Sequence, residues 1–241
     1  MDLWAGTSGF AYDEWKGGFY PDDLPAAARL GFYAERLPAV EINNTFYRLP
    51  RASVLQIWAE QVPARFRFAL KASQKITHFR RLAGAEDETS YLFRTVGVLG
   101  ERLGPVLFGL PPTLKLDLPR LEAFLDFLAR ETVAAPVAFE FRHSSWQDEA
   151  VYAALRARGC ALCQADTDEE PLAALVPTAP FGYLRLRRAE YGEEDLARWA
   201  AALQAQPWRE AYVFFKHEDA SGPLIARRFG ELFAAAAPAP A

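Results

Sequence analysis

The chain changes hydrophobic period repeatedly along its length, and that alternation limits its fold more than any other feature. Runs with a β-type pattern stand at 2–8, 39–46, 65–72, 105–110, 136–142, 160–166, 181–187 and 211–217. Stretches with apolar residues at helical spacing lie near 26–37, 52–61, 88–103, 118–132, 147–158, 168–176, 193–205 and 222–236. Ser145 with Asp148, and Thr167 with Glu170, carry the S/T-x-x-D/E pattern of a helix start, and Gly159 stands where a helix should end. Eight strand–helix units in 241 residues fit a single (β/α)8 TIM-type barrel, which typically takes ~250 residues. A doubly wound open sheet shares the alternation, but its first strand should lead into a G-x-G-x-x-G turn, and Gly6-Thr7-Ser8-Gly9 lacks that spacing. With no Ser/Gly-rich linker or shift in composition, residues 1–236 read as one barrel domain and 237–241 as a disordered tail.

Composition narrows the class further. Hydrophobic residues make up 51% of the chain, enough for a full-sized core, and 27 basic against 31 acidic residues give a net charge of −4. A nucleic-acid partner is therefore not expected on global charge, though a local basic pocket remains open. No apolar run approaches the ~20 residues of a membrane helix, so no membrane partner is expected. The N-terminal Met-Asp-Leu-Trp-Ala-Gly-Thr-Ser lacks the basic-then-apolar order of a signal peptide, and two cysteines make no disulfide framework. A cytoplasmic location is expected. Nothing in the sequence specifies an oligomeric state.

Two connections exceed what a barrel needs. Residues 9–21, after the first strand, hold five aromatics and three glycines, and residues 73–87, after the third, are polar and basic in their first half. Both would lie on the C-terminal face, where barrels build their sites. Ionisable groups converge on the same end: Glu41, Lys71, Glu140, Arg142, Asp166, Arg185, Arg187, Lys216 and His217 fall within or at the ends of apolar runs. Glu140 with Arg142, and Arg185 with Arg187, share a strand face by parity. A charge there is costly unless paired, so the cluster is either a ligand site or a salt-bridge plug.

Other constellations leave alternatives open. Glu41 and Glu140 could serve glycoside hydrolysis, but nearby cations suggest that each is ion-paired. His78, His143 and His217 with the carboxylates could ligate a divalent metal, although no H-x-H or H-E-x-x-H spacing supports it. His143 could equally be a general acid/base or a loop hydrogen-bonder. Cys160 and Cys163 would face opposite sides of one strand and read as core. Arg185, Arg187 and Arg188, with Ser221-Gly222 opening the last helix, suggest an anion site after the last two strands. The aromatics of 9–21, with Phe46, Tyr47 and Trp146, could stack on a ligand or simply order their loops.

Five strings in order, GTSGFAYDEWKGGFYP (6–21), VEINNTFYRLP (40–50), FRFALKASQKITH (66–78), LGPVLFGLPP (103–112) and AFEFRHSSW (138–146), give the chain a specific resemblance. It resembles the YecE-like family, domain of unknown function 72, over nearly its whole length. The resemblance implies a closed (β/α)8 barrel and marks Ser8, Tyr12, Trp15, Glu41, Asn43, Thr45, Tyr47, Lys71, Thr77, His78, Glu140, Arg142 and Trp146 as motif positions. It implies no established activity, and a relationship to sugar isomerases is suggested by fold alone. This chain departs from the family pattern at Gly109, where glutamine is common, and after the last strand, where Lys216-His217 replaces an Asn-rich end.

The expectation is thus an enzyme acting on a small polar, anionic ligand, phosphorylated or carboxylated, at the C-terminal ends of the strands. Glu41, Glu140 and His143 are the catalytic candidates. Ser8, Tyr12, Trp15, Asn43, Tyr47, Lys71, His78, Arg142, Asp166, Arg185 and Lys216 are the ligand-binding candidates, with Lys71, Arg142 and Arg185 on the anion. No nucleotide cofactor and no metal site are assigned. The alternatives are a divalent-metal-dependent sugar isomerase or hydrolase, and a non-catalytic nucleic-acid or protein adaptor.

Overall fold

All eight strands run parallel in the computed structural model, which describes residues 1–131, 135–169, 171, 174–217 and 219–236. They are β1 (Asp2–Ser8), β2 (Ala39–Ile42), β3 (Arg67–Lys71), β4 (Leu103–Gly109), β5 (Val137–Glu140), β6 (Ala161–Asp166), β7 (Phe181–Leu186) and β8 (Glu210–Phe215). Each pairs with its successor, and β8 pairs with β1 from Asp2↔Glu210 to Thr7↔Phe215, closing the barrel. Around it lie α1 (Arg29–Ala34), α2 (Ala52–Glu60), α3 (Glu86–Val96), α4 (Leu118–Leu128), α5 (Glu149–Ala157), α6 (Glu193–Gln204) and α7 (Ser221–Ala235). The fold is the single (β/α)8-type barrel that the alternation predicts, with its long loops after β1 and β3. Among the described residues no helix is long and apolar enough to cross a membrane. The expected tail, 237–241, lies outside the described residues.

Strand parity divides the core in two. Val40, Ile42, Phe68, Leu70, Val106, Phe108, Leu184, Leu186, Val213 and Phe215 face the helices in one continuous apolar layer. The alternate residues fill the barrel, and they do so unevenly: Ala39, Ala69, Ala138 and Ala161 meet Phe181, Tyr183, Tyr212 and Phe214 from β7 and β8. Large rings from one side thus fill the space that small side chains leave on the other, as close packing of a barrel interior requires. Gly6 belongs to this arrangement, because a Cβ there would lie 1.9 Å from the Ala39 carbonyl oxygen. Cys163 faces the interior and Cys160 the helix layer, the split expected of core cysteines.

Two local expectations are corrected. No helix forms at the described residues of 168–176. Pro171 interrupts the stretch and Pro177 follows directly after it, and Val176 and Thr178 are laced to β6 instead. There Gln164 Oε1 accepts from the Val176 N–H at 2.7 Å, and the Thr178 hydroxyl accepts from the Leu162 N–H at 2.7 Å and donates to the Cys160 carbonyl. Glu170, paired with Thr167 as a helix start, lies outside the described residues. Nor does Ser145 cap α5: Asp148 does, its carboxylate accepting from the Ala150 N–H at 2.8 Å, while Ser145 sits in a preceding 3-10 turn. Gly159, with φ of +62°, does end α5, where the Cys160 N–H returns to the Leu155 carbonyl.

Candidate functional site

The same parity that fills the barrel carries Ser8, Glu41, Lys71, Gly109, Glu140 and Arg185 to its upper layer, at the C-terminal ends of their strands. Glu41 is 0% exposed and Arg185 3% exposed. One guanidinium spans both glutamates, Arg185 Nη2 donating to Glu41 Oε1 and Nη1 to Glu140 Oε1, each at 2.9 Å. Glu41 also accepts from Ser8 Oγ at 2.7 Å, Asn43 Nδ2 at 2.9 Å and the Tyr183 hydroxyl at 2.7 Å. Glu140 also accepts from Arg187 Nη2 at 2.9 Å and from Arg142 Nη2 at 3.0 Å. Burial by itself would raise the Glu140 pKa, but Arg185, Arg142 and Lys71 together outweigh it and hold the carboxyl below its ordinary value. Tyr183 is pushed well up by burial and by the Glu41 charge, so it stays a neutral donor.

Lys71 stands apart from this pairing. Its backbone carbonyl accepts from Thr45 Oγ1 at 2.7 Å, which ties the end of β3 to the turn after β2. Its half-buried amine lies 4.4 Å from the centre of the Phe46 ring and makes no ion pair among the described residues. Burial, then the Arg185 charge, pulls its pKa below the usual lysine value; Arg142 acts in the same direction, while Glu140 and Glu41 oppose. His78 stands edge-on to the same Phe46 ring at 4.8 Å, presented by a π-helical turn at Lys75–Phe79. Burial, Arg142, Lys71 and Arg81 lower its pKa, which favours the neutral imidazole. Beside the cluster, a cleft of ≈ 600 Å³ opens over the ends of β5 and β6, with Arg142, His143 and Arg187 on its wall. Side-chain exposure rises outward from 4% for Arg185 to 21% for Arg187 and 35% for Arg142.

Of the residues singled out from sequence, Ser8, Glu41, Asn43, Lys71, Glu140, Arg142 and Arg185 come together here, and His78 joins them at the rim. The others sit elsewhere. Trp15 is 0% exposed, packed among Tyr12, Phe19, Tyr20 and Tyr33 within the loop after β1, so it is a core residue of that loop. The Tyr12 hydroxyl donates to the Ser8 carbonyl at 2.7 Å. Asp166 lies on the outer face of β6, one residue out of phase with the interior, and accepts from the Tyr191 hydroxyl at 3.0 Å. The His143 Nδ1 accepts from the Ser145 N–H at 3.1 Å and so fastens a turn, although the residue borders the cleft. Tyr47 is 73% exposed, and Lys216 is exposed beyond β8. Arg187, read from the sequence as part of an anion site with Arg185, joins the cluster. One member, Tyr183, goes unread in the sequence; it shares the parity of Arg185, two residues back along β7.

The donor set bears on chemistry. Every oxygen of Glu41 and Glu140 already accepts a hydrogen bond, and three guanidinium groups press on Glu140, so a divalent cation does not suit these carboxylates. No group of three or more His, Cys, Asp or Glu suited to a metal occurs among the described residues. A glycosidase acid must hold its proton near neutrality, whereas Glu140 is kept ionised.

Comparison with known proteins places the chain in a family. UPF0759 protein YecE of Escherichia coli K12 is 34% identical over 113 residues, 44% of this chain and 42% of that protein. UPF0759 protein YunF of Bacillus subtilis is 28% identical over 133 residues, 53% of this chain and 47% of that protein. The aligned stretches therefore span less than half the length of either relative. A crystal structure of a DUF72 family protein from Thermotoga maritima superposes with a TM-score of 0.83 at 25% identity, covering 97% of this chain and 100% of that one. The model of the family described as protein of unknown function DUF72 matches residues 4–241, and the chain belongs to that family.

Proposed function

We propose that this chain is a cytoplasmic enzyme acting on a small polar ligand with an anionic group, bound over the C-terminal ends of the strands. One observation carries the reading: among the described residues Arg142, Arg185 and Arg187 form ion pairs with Glu41 and Glu140 alone, and Lys71 beside them forms none. An excess of positive charge away from bulk water is costly, and a carboxylate or phosphate would offset it. Arg142 and Arg187, whose side chains are 35% and 21% exposed, receive the anion, with Lys71 beside them. Arg185 is committed at both ends and instead holds the two glutamates in place. Asn43, which also meets Arg185 through Oδ1 at 3.3 Å, lines the approach and orients the ligand. Free, buried Cys160 and Cys163 suit a reducing compartment.

The test is a thermal-shift series of phosphorylated sugars, carboxylic acids and divalent metals against wild type and Arg142→Ala. A ligand at ~100 times its Kd adds about 2.7 kcal/mol. Stabilisation by one anionic class, weakened in the variant, is expected. A cooperative melt that no anion shifts overturns the reading. A second reading, a nucleic-acid adaptor, is favoured by Tyr47 and Phe79, 73% and 71% exposed, beside Arg48 and Arg80. Salt-sensitive retention on single-stranded RNA, lost in Tyr47→Ala with Phe79→Ala, would establish it instead.

A further inference from the structure

We propose that Lys71 is a nucleophile that condenses with a carbonyl group on the anionic ligand, which makes the ligand class a small oxo acid or a phosphorylated aldehyde or ketone. The inference rests on the anion-site reading above and adds the covalent step.

Geometry separates Lys71 from the other cations of the mouth and from the other lysines. Lys16, Lys75, Lys115 and Lys216 are exposed; Lys71 is half-buried at the end of a barrel strand. An amine kept in place only to neutralise charge should sit against a carboxylate, yet the two nearby carboxylates are bound by Arg142, Arg185 and Arg187. The Lys71 amine lies over the face of Phe46 instead, a contact that holds the ammonium in place until it gives up its proton. Next along the barrel is Gly109, where an added Cβ would lie 3.5 Å from Lys71 Cε and 3.1 Å from Glu140 Oε2, so glycine lets the lysine and the glutamate approach this end of β4 closely. The charged groups that act on Lys71 are Arg185 from β7, Arg142 and Glu140 from β5 and its end, and Glu41 from β2. Burial and the two arginines favour the free base, the form a nucleophile requires.

The step balances without a co-reactant. The Lys71 ammonium loses one proton, and the nitrogen lone pair attacks the carbonyl carbon as the C=O π pair moves to oxygen. The resulting carbinolamine sheds its oxygen as water, forming C=N. Of the three protons on the ammonium, one stays on the iminium nitrogen and two leave with the water. The positive charge is unchanged, and the iminium carbon becomes an electron sink for bond cleavage or proton loss alongside it. His78, with Nδ1 held 2.9 Å from Thr77 Oγ1 and its ring edge-on to the same Phe46 ring that Lys71 meets, is the group we assign to relay those protons.

The experiment traps the iminium by reduction. Full-length protein is incubated with pyruvate, glyoxylate or glyceraldehyde 3-phosphate plus cyanoborohydride, and adducts are located by peptide mass mapping. The matched alcohols (lactate, glycolate and glycerol 3-phosphate) serve in parallel thermal shifts. Lys71 should be labelled in preference to every exposed lysine, because its lowered pKa leaves more of it as the free base. Labelling should vanish in Lys71→Arg and Lys71→Met, and the alcohols should slow it in the wild type. If alcohols and carbonyl compounds both stabilise the protein but Lys71 is not labelled preferentially, the nucleophile falls and the anion site stands. If none of the anions stabilises or labels it, both fall.

Discussion

In the loop after β1, the Trp15 and Tyr20 ring centres lie 5.8 Å apart and Trp15 stacks on Tyr33, so the apolar faces of these rings cover one another, although the Trp15 Nε1 is buried without a hydrogen-bond partner among the described residues. In the charged mouth next to it the pairing stops short. Arg185 closes on two glutamates, but the Lys71 amine makes no ion pair among the described residues, and Arg142 and Arg187, 35% and 21% exposed, pair there only with Glu140. Both regions gather unusual side chains at the functional end of a barrel, and composition alone ranks them equally as site candidates. What separates them is whether the group's own chemistry is already met. Apolar surface is satisfied by any close neighbour. A cation is satisfied only by an acceptor of the right charge, and here acceptors are fewer than cations.

The comparison breaks most readily at Arg185. Arg185→Ala leaves Glu41 and Glu140 buried with reduced compensation and should cost about 3–5 kcal/mol in urea unfolding. A loss below about 1 kcal/mol would mean that Arg142 and Arg187 suffice, and the inner pairing would then be unimportant. The pH dependence has a definite sign. Because the folded-state pKa of Glu140 lies below its ordinary value, its contribution is present above the unfolded carboxylate range and is lost as pH falls through the folded value. Glu140→Gln should therefore flatten the acid limb of the stability profile. Next in size, Trp15→Ala should cost about 3 kcal/mol through the cavity it leaves, yet keep the anion-induced thermal shift. Loss of that shift in a variant that still melts cooperatively would turn the loop from a packing device into part of the site.

Much of this architecture is legible from parity and period. The alternation of Glu140 with Arg142 and of Arg185 with Arg187 already assigns them to one barrel face, because strand side chains alternate strictly. The same rule, carried through, brings Tyr183 onto the face of Arg185 and moves Asp166 to the outer face, since Ala161 and Cys163 hold the inner phase of β6. The segment after β6 misleads for a different reason. Its apolar spacing matches a helix, but its structure is decided by two polar side chains, Gln164 and Thr178, that offer hydrogen bonds no hydropathy pattern registers. Trp15 was illegible for a third reason: a loop aromatic finds its partners through tertiary contacts with Tyr33, and spacing carries no trace of them.

A smaller effect sharpens the comparison at Gly109. Gly109→Ala brings a Cβ to 3.1 Å from Glu140 Oε2, tight enough to shift that carboxylate, and should cost about 1–3 kcal/mol. Its larger consequence should be on binding. Pushing Glu140 and the Lys71 side chain away from β4 should weaken anion-induced stabilisation while leaving the melt cooperative. An unchanged ligand shift would place the ligand over the β5–β6 cleft alone, away from the lysine.

The smallest expected effect has the opposite sign. A lysine whose folded pKa is depressed costs the fold stability wherever both states are protonated, and stability recovers as pH rises from the folded to the unfolded value. Lys71→Met removes that cost while preserving much of the side chain's volume over Phe46. At neutral pH the variant should therefore be slightly more stable than wild type, by less than about 1 kcal/mol, and should lose the alkaline rise. A surface-like lysine predicts no change, and one tied to an undetected carboxylate predicts a loss. Stability gained together with binding lost is the signature of a group retained for its chemistry at the expense of the fold, and in this barrel Lys71 is where that trade should be measurable.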